Sequence, residues 1–199
     1  MTFVVVEGGE GSGKSTQVDR LARRMRARHD DVVTTFEPGD TKVGAAIREI
    51  LLHSDVPLDA ETELLLLLAD RAQHVAEVIS PALKRGAIVI SDRFTPSTIA
   101  YQGVARGLGA DVVEKLSSAA SAGVEPDLVV VLDVPDEVAE ARVAPERDRL
   151  EQEGAAFHAR VRAAYRDLAP TWGWAVVDGT GTPDEVEARV FAVVAPLFS

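Results

Sequence analysis

The sequence contains no cysteine, which excludes disulfide bonds and metal sites built on thiolates. Histidine is also sparse, and no two histidines have the spacing of a metal site, so we do not expect a histidine metal centre. The four histidines are His29, His53, His74 and His158. We interpret them as surface or packing residues.

Basic residues are few relative to acidic ones, with 21 Lys and Arg against 32 Asp and Glu. The resulting net charge of −11 argues against broad binding to nucleic acid or to an anionic membrane, because such binding needs many Lys and Arg contacts. No apolar run approaches the length of a membrane span, and no signal peptide precedes the first predicted strand. We therefore expect no nucleic-acid partner, no membrane association and a cytoplasmic location.

Apolar strand-like runs alternate with amphipathic segments along the chain. With 46% hydrophobic residues the chain can bury a sizeable core, and its length favours a single domain over residues 1–199. Strands are predicted at 3–7, within 30–36 after a turn, and at 87–91, 127–133 and 175–178. Helices are predicted at 14–29, 45–53, 60–85 (with a kink or break at Pro81), 97–103, 111–122, from 135, 157–168 and 184–198. This alternation predicts an α/β fold, a doubly wound five-stranded parallel sheet with helices on both faces.

A glycine-rich stretch lies between the first predicted strand and the first predicted helix. Gly8, four further residues and then Gly13-Lys14-Ser15 match the Walker A pattern, which cradles nucleotide phosphates. Glycines let backbone N–H groups turn towards the phosphates, Lys14 supplies an ammonium group, and the Ser15 hydroxyl suits Mg2+. The candidate ATP-binding residues are Gly8, Gly9, Glu10, Gly11, Ser12, Gly13, Lys14, Ser15 and Thr16. The alternative, a turn that merely joins strand to helix, is disfavoured by the complete pattern.

Asp92 and Arg93 directly follow the third predicted strand. In open α/β sheets, ligands bind at the carboxyl ends of the strands. Asp92 is therefore placed like a Walker B carboxylate that holds Mg2+ directly or through water, and Arg93 directs a planar fork towards the same crevice. A strand-end salt bridge is the alternative.

Arginines outside the glycine-rich loop suggest a second phosphorylated ligand. Arg48, Arg71 and Arg93 lie on separate segments that the sheet could bring to its carboxyl edge, where they could bind a second anion. A charged stretch at about 140–154 holds three more, Arg142, Arg147 and Arg149. This stretch could close as a short lid and stabilise charge on a transferring phosphoryl group. Solvated helix charges are the alternative for each set, but both sets together favour transfer to an acceptor phosphate.

These residues and several further motifs resemble the thymidylate kinase family. The matching segments, in the family's order, are 7–8, 11–17, 37–39, 47–52, 69–74, 91–94, 100–103, 126–128 and 148–151. The family phosphorylates dTMP to dTDP with ATP and Mg2+ for dTTP synthesis. The resemblance implies that reaction, a P-loop NTPase fold and a homodimer formed through helices, with the leucine run at 64–68 in the contact.

The resemblance also implies a dTMP site. Arg48 and Arg93 would hold the dTMP phosphate, and Arg71 would donate to a thymine carbonyl. The remaining thymine edge would be read by Gln102, with Ser97 or Thr98 nearby. The other implied contacts are Pro38 on the base, Tyr101 beside the deoxyribose, and Glu10 and Glu37 near the phosphates or Mg2+. Three positions depart from the family's common residues: Phe36 for arginine, Asp40 for glycine, and Leu67 for an aromatic residue that stacks on thymine.

The implied catalytic residues are Lys14, Arg93, Arg147 and Arg149, with Arg142 stacking on adenine. One variant of the family has a catalytic basic residue inside the glycine-rich loop, but here Gly11 occupies that position. The resemblance is therefore to the bacterial type with catalytic arginines in the lid. In-line transfer needs no strong general base, because the acceptor phosphate is largely ionised and catalysis rests on positioning and charge neutralisation.

Three other functions compete with this interpretation. A related nucleoside monophosphate kinase would differ in the base that it accepts. A P-loop GTPase switch would need an Asn-Lys-x-Asp motif, and the sequence contains no asparagine. A non-catalytic nucleotide-binding or scaffolding module would leave Arg48, Arg71 and Arg93 without a role.

Overall fold

The computed structural model of the chain describes residues 2–143 and 148–198. Within them, five parallel strands form one sheet in the order β2-β3-β1-β4-β5. The strands are β1 (Thr2–Gly8), β2 (Val32–Phe36), β3 (Ile88–Asp92), β4 (Leu128–Asp133) and β5 (Ala175–Asp178). The predicted five-stranded parallel sheet is thereby confirmed.

Helices connect the strands and pack on the sheet. They are α1 (Lys14–Arg26), α2 (Lys42–Arg48), α3 (Ala60–His74), α4 (Ser80–Lys84), α5 (Thr95–Thr98), α6 (Ala110–Ala120), α7 (Asp136–Arg142), α8 (Ala155–Trp172) and α9 (Pro183–Val194). Turns of π-helix follow α2, α3 and α5, at Glu49–His53, Val75–Ile79 and Ile99–Ala105, and a 3-10 turn spans Ala195–Phe198. None of the described helices is long and apolar enough to cross a lipid bilayer.

The long helix predicted at 60–85 is divided ahead of Pro81. Its winding changes at the π-helical turn Val75–Ile79, and Pro81 lies in the first turn of α4. The backbone stays helical on both sides of this change, so the change of winding just ahead of Pro81 marks where the helix accommodates a residue without an N–H.

Both faces of the sheet are covered, as the central strand shows. Phe3 and Val5 pack on one face against a cluster that includes residues of α8 and the turn Ile99–Ala105, whereas Val4 and Val6 pack on the other face with residues of α1 and α9. All four side chains are at most 1% exposed. Full burial of such a side chain contributes about 1.5–3 kcal/mol, so this continuous apolar run fixes β1 in the middle of the sheet.

The strand register brings candidate site residues to one edge. Val6 pairs with Asp92, the last residue of β3, and Gly8, the last residue of β1, pairs with Leu132, so the carboxyl ends of β1, β3 and β4 lie at the same edge of the sheet. Gly8 has φ 142°, and a Cβ atom there would lie 2.5 Å from the Leu132 carbonyl oxygen. Only glycine therefore lets β1 turn into the following loop at this point.

Candidate active site

The glycine-rich loop runs from the end of β1 to the first turn of α1. Gly13 has a left-handed backbone (φ 92°) and precedes Lys14, the first residue of α1. Gly11 also has a positive φ of 70°, and a Cβ atom there would lie 2.2 Å from the Ala139 carbonyl oxygen in α7. The loop thus places backbone N–H groups and the positive end of a helix where a phosphate can bind.

Lys14 is buried beside this loop. Its Nζ donates to the Gly9 carbonyl oxygen at 2.8 Å, which uses one of its three N–H groups within the described chain. Burial and the neighbouring Arg93 lower the pKa of Lys14, while Glu10 and Asp92 oppose that shift. An anionic phosphate would stabilise the buried ammonium group further.

Ser15 of α1 and Asp92 of β3 provide adjacent oxygen atoms. The Ser15 hydroxyl donates to Asp92 Oδ2 at 2.6 Å. Hydroxyl and carboxylate oxygens suit Mg2+, which proteins often hold through one or two side chains together with substrate phosphates and water. The described residues contain no group of three or more His, Cys, Asp or Glu side chains that could hold a metal ion alone. This pair therefore fits a Mg2+ ion that arrives with a nucleotide.

Arg93 connects the phosphate loop with the neighbouring helical segment. Its Nη1 donates to Ser97 Oγ at 3.0 Å and approaches the Gly8 carbonyl oxygen at 3.4 Å, and its Nη2 pairs with Glu10 and lies 3.4 Å from the Tyr101 hydroxyl. Burial opposes ionisation of Glu10, but Arg93 and Lys14 lower the pKa of Glu10 to about 2. Glu10 is thus an ionised partner that fixes Arg93.

Protein groups accept most of the hydrogen bonds that Arg71 of α3 can donate. Its Nε and Nη2 donate to Glu37 Oε2 at 2.9 and 2.7 Å, Nη2 also donates to Thr98 Oγ1 at 2.8 Å, and Nη1 donates to Ser117 Oγ at 3.3 Å. A guanidinium group has five N–H donors, so one donor on Nη1 is left for a ligand within the described structure.

The side chain of Glu37 belongs to a buried network, and the expectation that it lies near the phosphates or Mg2+ stays a prediction. Its Oε1 lies 2.9 Å from His74 Nδ1, and the other ring nitrogen of His74 contacts the Thr35 hydroxyl, which also contacts Asp40. Burial opposes ionisation, but Arg71 and His74 lower the pKa of Glu37. This carboxylate positions Arg71 because the buried cation requires a charged partner.

Asp70 lies next to this network and is poorly satisfied. Its Oδ1 accepts a 3.1 Å hydrogen bond from the Gly39 N–H, but its buried Oδ2 has no partner in the described structure. Burial and the nearby Glu37 carboxylate raise the pKa of Asp70 to about 6. Asp70 thus anchors the turn after β2 at an electrostatic cost.

One cavity of about 630 Å³ extends from the glycine-rich loop to Arg71, a volume typical of small-molecule sites. Predicted residues that line it are Glu10, Lys14, Ser15, Glu37, Pro38, Arg48, Leu67, Arg71, Asp92, Arg93, Ser97, Thr98, Tyr101 and Gln102. Arg48 donates to the Pro38 carbonyl oxygen at 2.6 Å and lies over the Phe36 ring, with its guanidinium carbon 5.8 Å from the ring centre. The structure thus brings together residues from β2, α2, α3 and the segment after β3.

A second cavity, of about 390 Å³, lies on the other side of the glycine-rich loop. Its lining includes Gly11, Ser12, Gly13 and Thr16 together with Arg142, whose Nη1 donates to the Gly179 carbonyl oxygen at 3.0 Å. Arg142 therefore lies beside the loop, and its contact with adenine stays a prediction.

Comparisons with known proteins identify the family. The thymidylate kinase family model matches residues 6–190. The chain belongs to the thymidylate kinase family. It is 47% identical to a thymidylate kinase of Synechococcus sp. (strain JA-2-3B'a(2-13)) over 98% of this chain and 94% of that one, and 52% identical to that of Pseudomonas putida (strain GB-1) over 84% and 81%. The crystal structure of thymidylate kinase from Ehrlichia chaffeensis superposes with a TM-score of 0.82 at 30% identity, over 97% of this chain and 98% of that one.

In this thymidylate kinase family member, the predicted lid residue Arg149 pairs with groups of the segment after α2 and of α3, and its catalytic role stays a prediction. Its Nε donates to the Leu51 carbonyl oxygen at 2.7 Å and its Nη2 to Glu63 Oε2 at 2.6 Å, and it lines neither of the two cavities. The buried Glu63 carboxylate needs cationic partners, which explains this placement. Arg147, the other predicted lid residue, lies outside the described residues.

Several site residues escaped the sequence reasoning. Glu7 is fully buried, and it accepts hydrogen bonds from the Phe94 and Ser97 N–H groups and from the Ser97 and Tyr165 hydroxyls. Burial raises the pKa of Glu7 despite these bonds and Arg93. The signal was a carboxylate at the end of an apolar strand, which must find partners when it is buried.

Asp148, Leu150 and Glu151 also line the large cavity but were not assigned to the site. Burial, together with Asp148 and Glu10, raises the pKa of Glu151. The signal was available here, because segment 148–151 is part of the family resemblance.

Proposed function

We propose that the protein is a dTMP kinase, which transfers the γ-phosphoryl group of ATP to dTMP and gives dTDP and ADP. The observation that carries this proposal is the cavity of about 630 Å³, whose lining includes Lys14, Ser15 and Asp92 as well as Arg71 and Gln102. Such a cavity accepts a nucleoside monophosphate lengthwise, with its phosphate directed towards the glycine-rich loop.

Arg71 supports a substrate base that has a carbonyl group at the ring position where cytosine has its amino group. Its remaining N–H needs a hydrogen-bond acceptor, and its guanidinium group lies over Phe94, with 5.0 Å between the guanidinium carbon and the ring centre. A thymine carbonyl supplies that acceptor, whereas the amino group of cytosine offers another donor. Leu67 and Pro38 provide apolar walls along the same cavity.

The proposed chemistry is an in-line displacement. An oxygen of the dTMP phosphate, held by Arg48 and Arg93, attacks the γ-phosphorus of ATP as the bond to the β-phosphate oxygen breaks and ADP leaves. Lys14 and the loop N–H groups stabilise the charge on the phosphoryl oxygens. Ser15 and Asp92 would hold Mg2+, which neutralises phosphate charge when bound. Arg142 would contact the adenine.

We propose one catalytic arginine in the lid, whereas the sequence analysis names two. We retain the short lid at about 140–154 within one domain, 1–199, and Arg147 stays a predicted catalytic residue. Arg149 is proposed instead to fasten this segment to α3 through Glu63. Its placement beside Glu63 favours anchoring over direct contact with the transferring phosphoryl group.

A homodimer stays a prediction with structural support. Helices α3 and α6 pack together and expose apolar side chains, with Leu65 62%, Val112 55% and Leu116 41% exposed. A second copy of the chain would bury these residues, and light scattering of the wild type and Leu65→Glu tests whether it does. A cytoplasmic location also stays a prediction.

The decisive experiment is chromatographic detection of dTDP after incubation with dTMP, ATP and Mg2+. We expect dTDP and ADP in equal amounts, and no product when EDTA removes Mg2+. A panel of dTMP, dUMP, AMP, CMP and GMP separates dTMP kinase from its relatives. ATP binding without any nucleoside diphosphate product would favour a non-catalytic module.

A further inference from the structure

Glu63 of α3 is a buried carboxylate on which three side chains converge. Gln102 Nε2 donates to its Oε1 at 2.8 Å, and Arg106 donates from Nε to Oε1 at 3.2 Å and from Nη2 to Oε2 at 3.1 Å. Arg149 donates to Oε2 at 2.6 Å. Glu63 itself is 0% exposed and does not line the large cavity. Its influence on a ligand must therefore pass through these neighbours.

The most direct neighbour is Gln102, which does line the large cavity. An ionised carboxylate only accepts hydrogen bonds, so the Gln102 amide must direct its NH2 group towards Glu63. Burial opposes ionisation of Glu63, but the hydrogen bonds from Arg106, Gln102 and Arg149 lower its pKa. The carboxylate therefore stays ionised at neutral pH. An ionised Glu63 permits only the orientation of Gln102 in which the amide NH2 group faces Glu63.

This orientation leaves the carbonyl oxygen of Gln102 as the group available to a ligand. Arg71 offers one N–H donor to the same cavity, so the cavity wall holds both a donor and an acceptor for a base. Thymine and uracil present the complementary edge, a carbonyl oxygen next to a ring N–H. Cytosine presents an amino group next to an unprotonated ring nitrogen, which opposes both protein groups.

We propose that Glu63 is a specificity-determining positioning residue, which selects a keto pyrimidine over an amino pyrimidine by fixing the amide orientation of Gln102. This inference rests on the proposed dTMP kinase function and assigns the choice of base edge to a residue outside the cavity. Without Glu63, the amide could rotate and offer NH2 to the base, because an amide can donate or accept at either side.

The test compares dTMP, dUMP and dCMP as substrates of the wild type and Glu63→Gln. The substituted side chain keeps its shape but can donate as well as accept, so it no longer fixes Gln102. We expect the ratio of kcat/KM for dTMP over dCMP to fall about tenfold or more, since one hydrogen-bond mismatch is worth about 1.4 kcal/mol or more. The ratio for dTMP over dUMP should not change, because both bases present the same edge.

The matched control is Glu153→Gln. Glu153 pairs with Arg106 at 2.6 Å, and Glu63 pairs with the same arginine at 3.1 Å. Gln102 donates to Glu63 and not to Glu153 in the described structure. Both ratios should stay at the wild-type values in this variant. A general loss of folding or activity lowers all three substrates together and leaves the ratios unchanged, so a selective change in the dCMP ratio reports on Gln102.

An unchanged dTMP to dCMP ratio in folded, active Glu63→Gln overturns the inference while leaving the proposed function intact. Wild-type enzyme that makes no dTDP overturns the proposed function instead. If Glu63→Gln does not fold, hydrogen exchange in the wild type decides the matter. NMR should show the Gln102 side-chain NH2 protected from exchange before dTMP is added, and rapid exchange would overturn the orientation.

Discussion

The two ends of the large cavity are built on different principles. At the phosphate end, Lys14 and the glycine-rich loop come from one short stretch of sequence, and their N–H groups are largely left for a ligand. At the base end, Arg71 and Gln102 are held by partners from other elements, which consume most of their hydrogen-bonding capacity. The comparison teaches that the phosphate end leaves many donors unused, whereas the base end leaves only the few groups that are not bound to protein partners, and these few set the base that fits.

Removing Lys14 should give the largest effect on catalysis. We expect Lys14→Ala to lower kcat by about a hundredfold or more, because a lost contact to the transferring group is worth about 3 kcal/mol. Steady-state kinetics with ATP and dTMP measures this loss. Lys84→Ala, the same change at an exposed position of α4, should behave as the wild type. Near-normal turnover in Lys14→Ala would break the distinction between the two ends.

Arg149→Ala tests whether Arg149 stabilises the fold through Glu63 or contacts the transferring phosphoryl group. Loss of a charged hydrogen bond to buried Glu63 should lower the free energy of unfolding by about 2 kcal/mol, with a smaller fall in kcat than Lys14→Ala causes. Urea unfolding and kinetics test both points, and Arg149→Lys should recover part of the stability. A fall in kcat as large as that of Lys14→Ala would place Arg149 on the phosphoryl group during turnover.

Arg71→Lys tests the base end without leaving Glu37 unpaired. Lysine keeps a positive charge next to Glu37 but cannot reproduce the planar fork that reaches Thr98, Ser117 and the base together. We expect the KM for dTMP to rise about tenfold, equivalent to a lost hydrogen bond of about 1.5 kcal/mol, with little change in kcat. An equal KM for dTMP in the two enzymes would argue against base readout by Arg71.

Asp70→Asn should give the smallest effect, and only above acidic pH. The pKa of Asp70 is raised from 3.8 to about 6 in the fold, so its contribution to stability is fully present below pH 3.8 and is lost as the pH rises through about 6. Asparagine keeps an acceptor for the Gly39 N–H and removes the charge. We expect Asp70→Asn to be more stable than the wild type at neutral pH, relative to the difference measured at acidic pH.

Urea unfolding of the wild type and Asp70→Asn across this pH range provides the measurement. A stability difference that does not vary with pH would mean that the ionised Asp70 carboxylate is not strained in the fold. That result would argue against a loss of folding free energy from the buried Asp70 charge at the base end.

The sequence predicted the sheet and the phosphate end well, because both follow from contiguous patterns. The apolar run of β1 and the Walker A spacing lie within 15 residues of each other in the chain. The partners of the base end could not be predicted in the same way. Ser117 lies 46 residues from Arg71, Glu63 lies 39 residues from Gln102, and 86 residues separate Arg149 from Glu63. Such pairs are set by packing of elements, which no local pattern encodes.

The close approach of Gly11 to α7 restricts how this enzyme could change its catalytic strategy. Any side chain at position 11 would strike the Ala139 carbonyl oxygen and would also have to accept a left-handed backbone. A basic residue in the loop therefore cannot be acquired by one substitution, since the whole of α7 would have to shift outward first. The chemistry of the loop and the position of α7 are therefore coupled in this chain, so that neither can change alone.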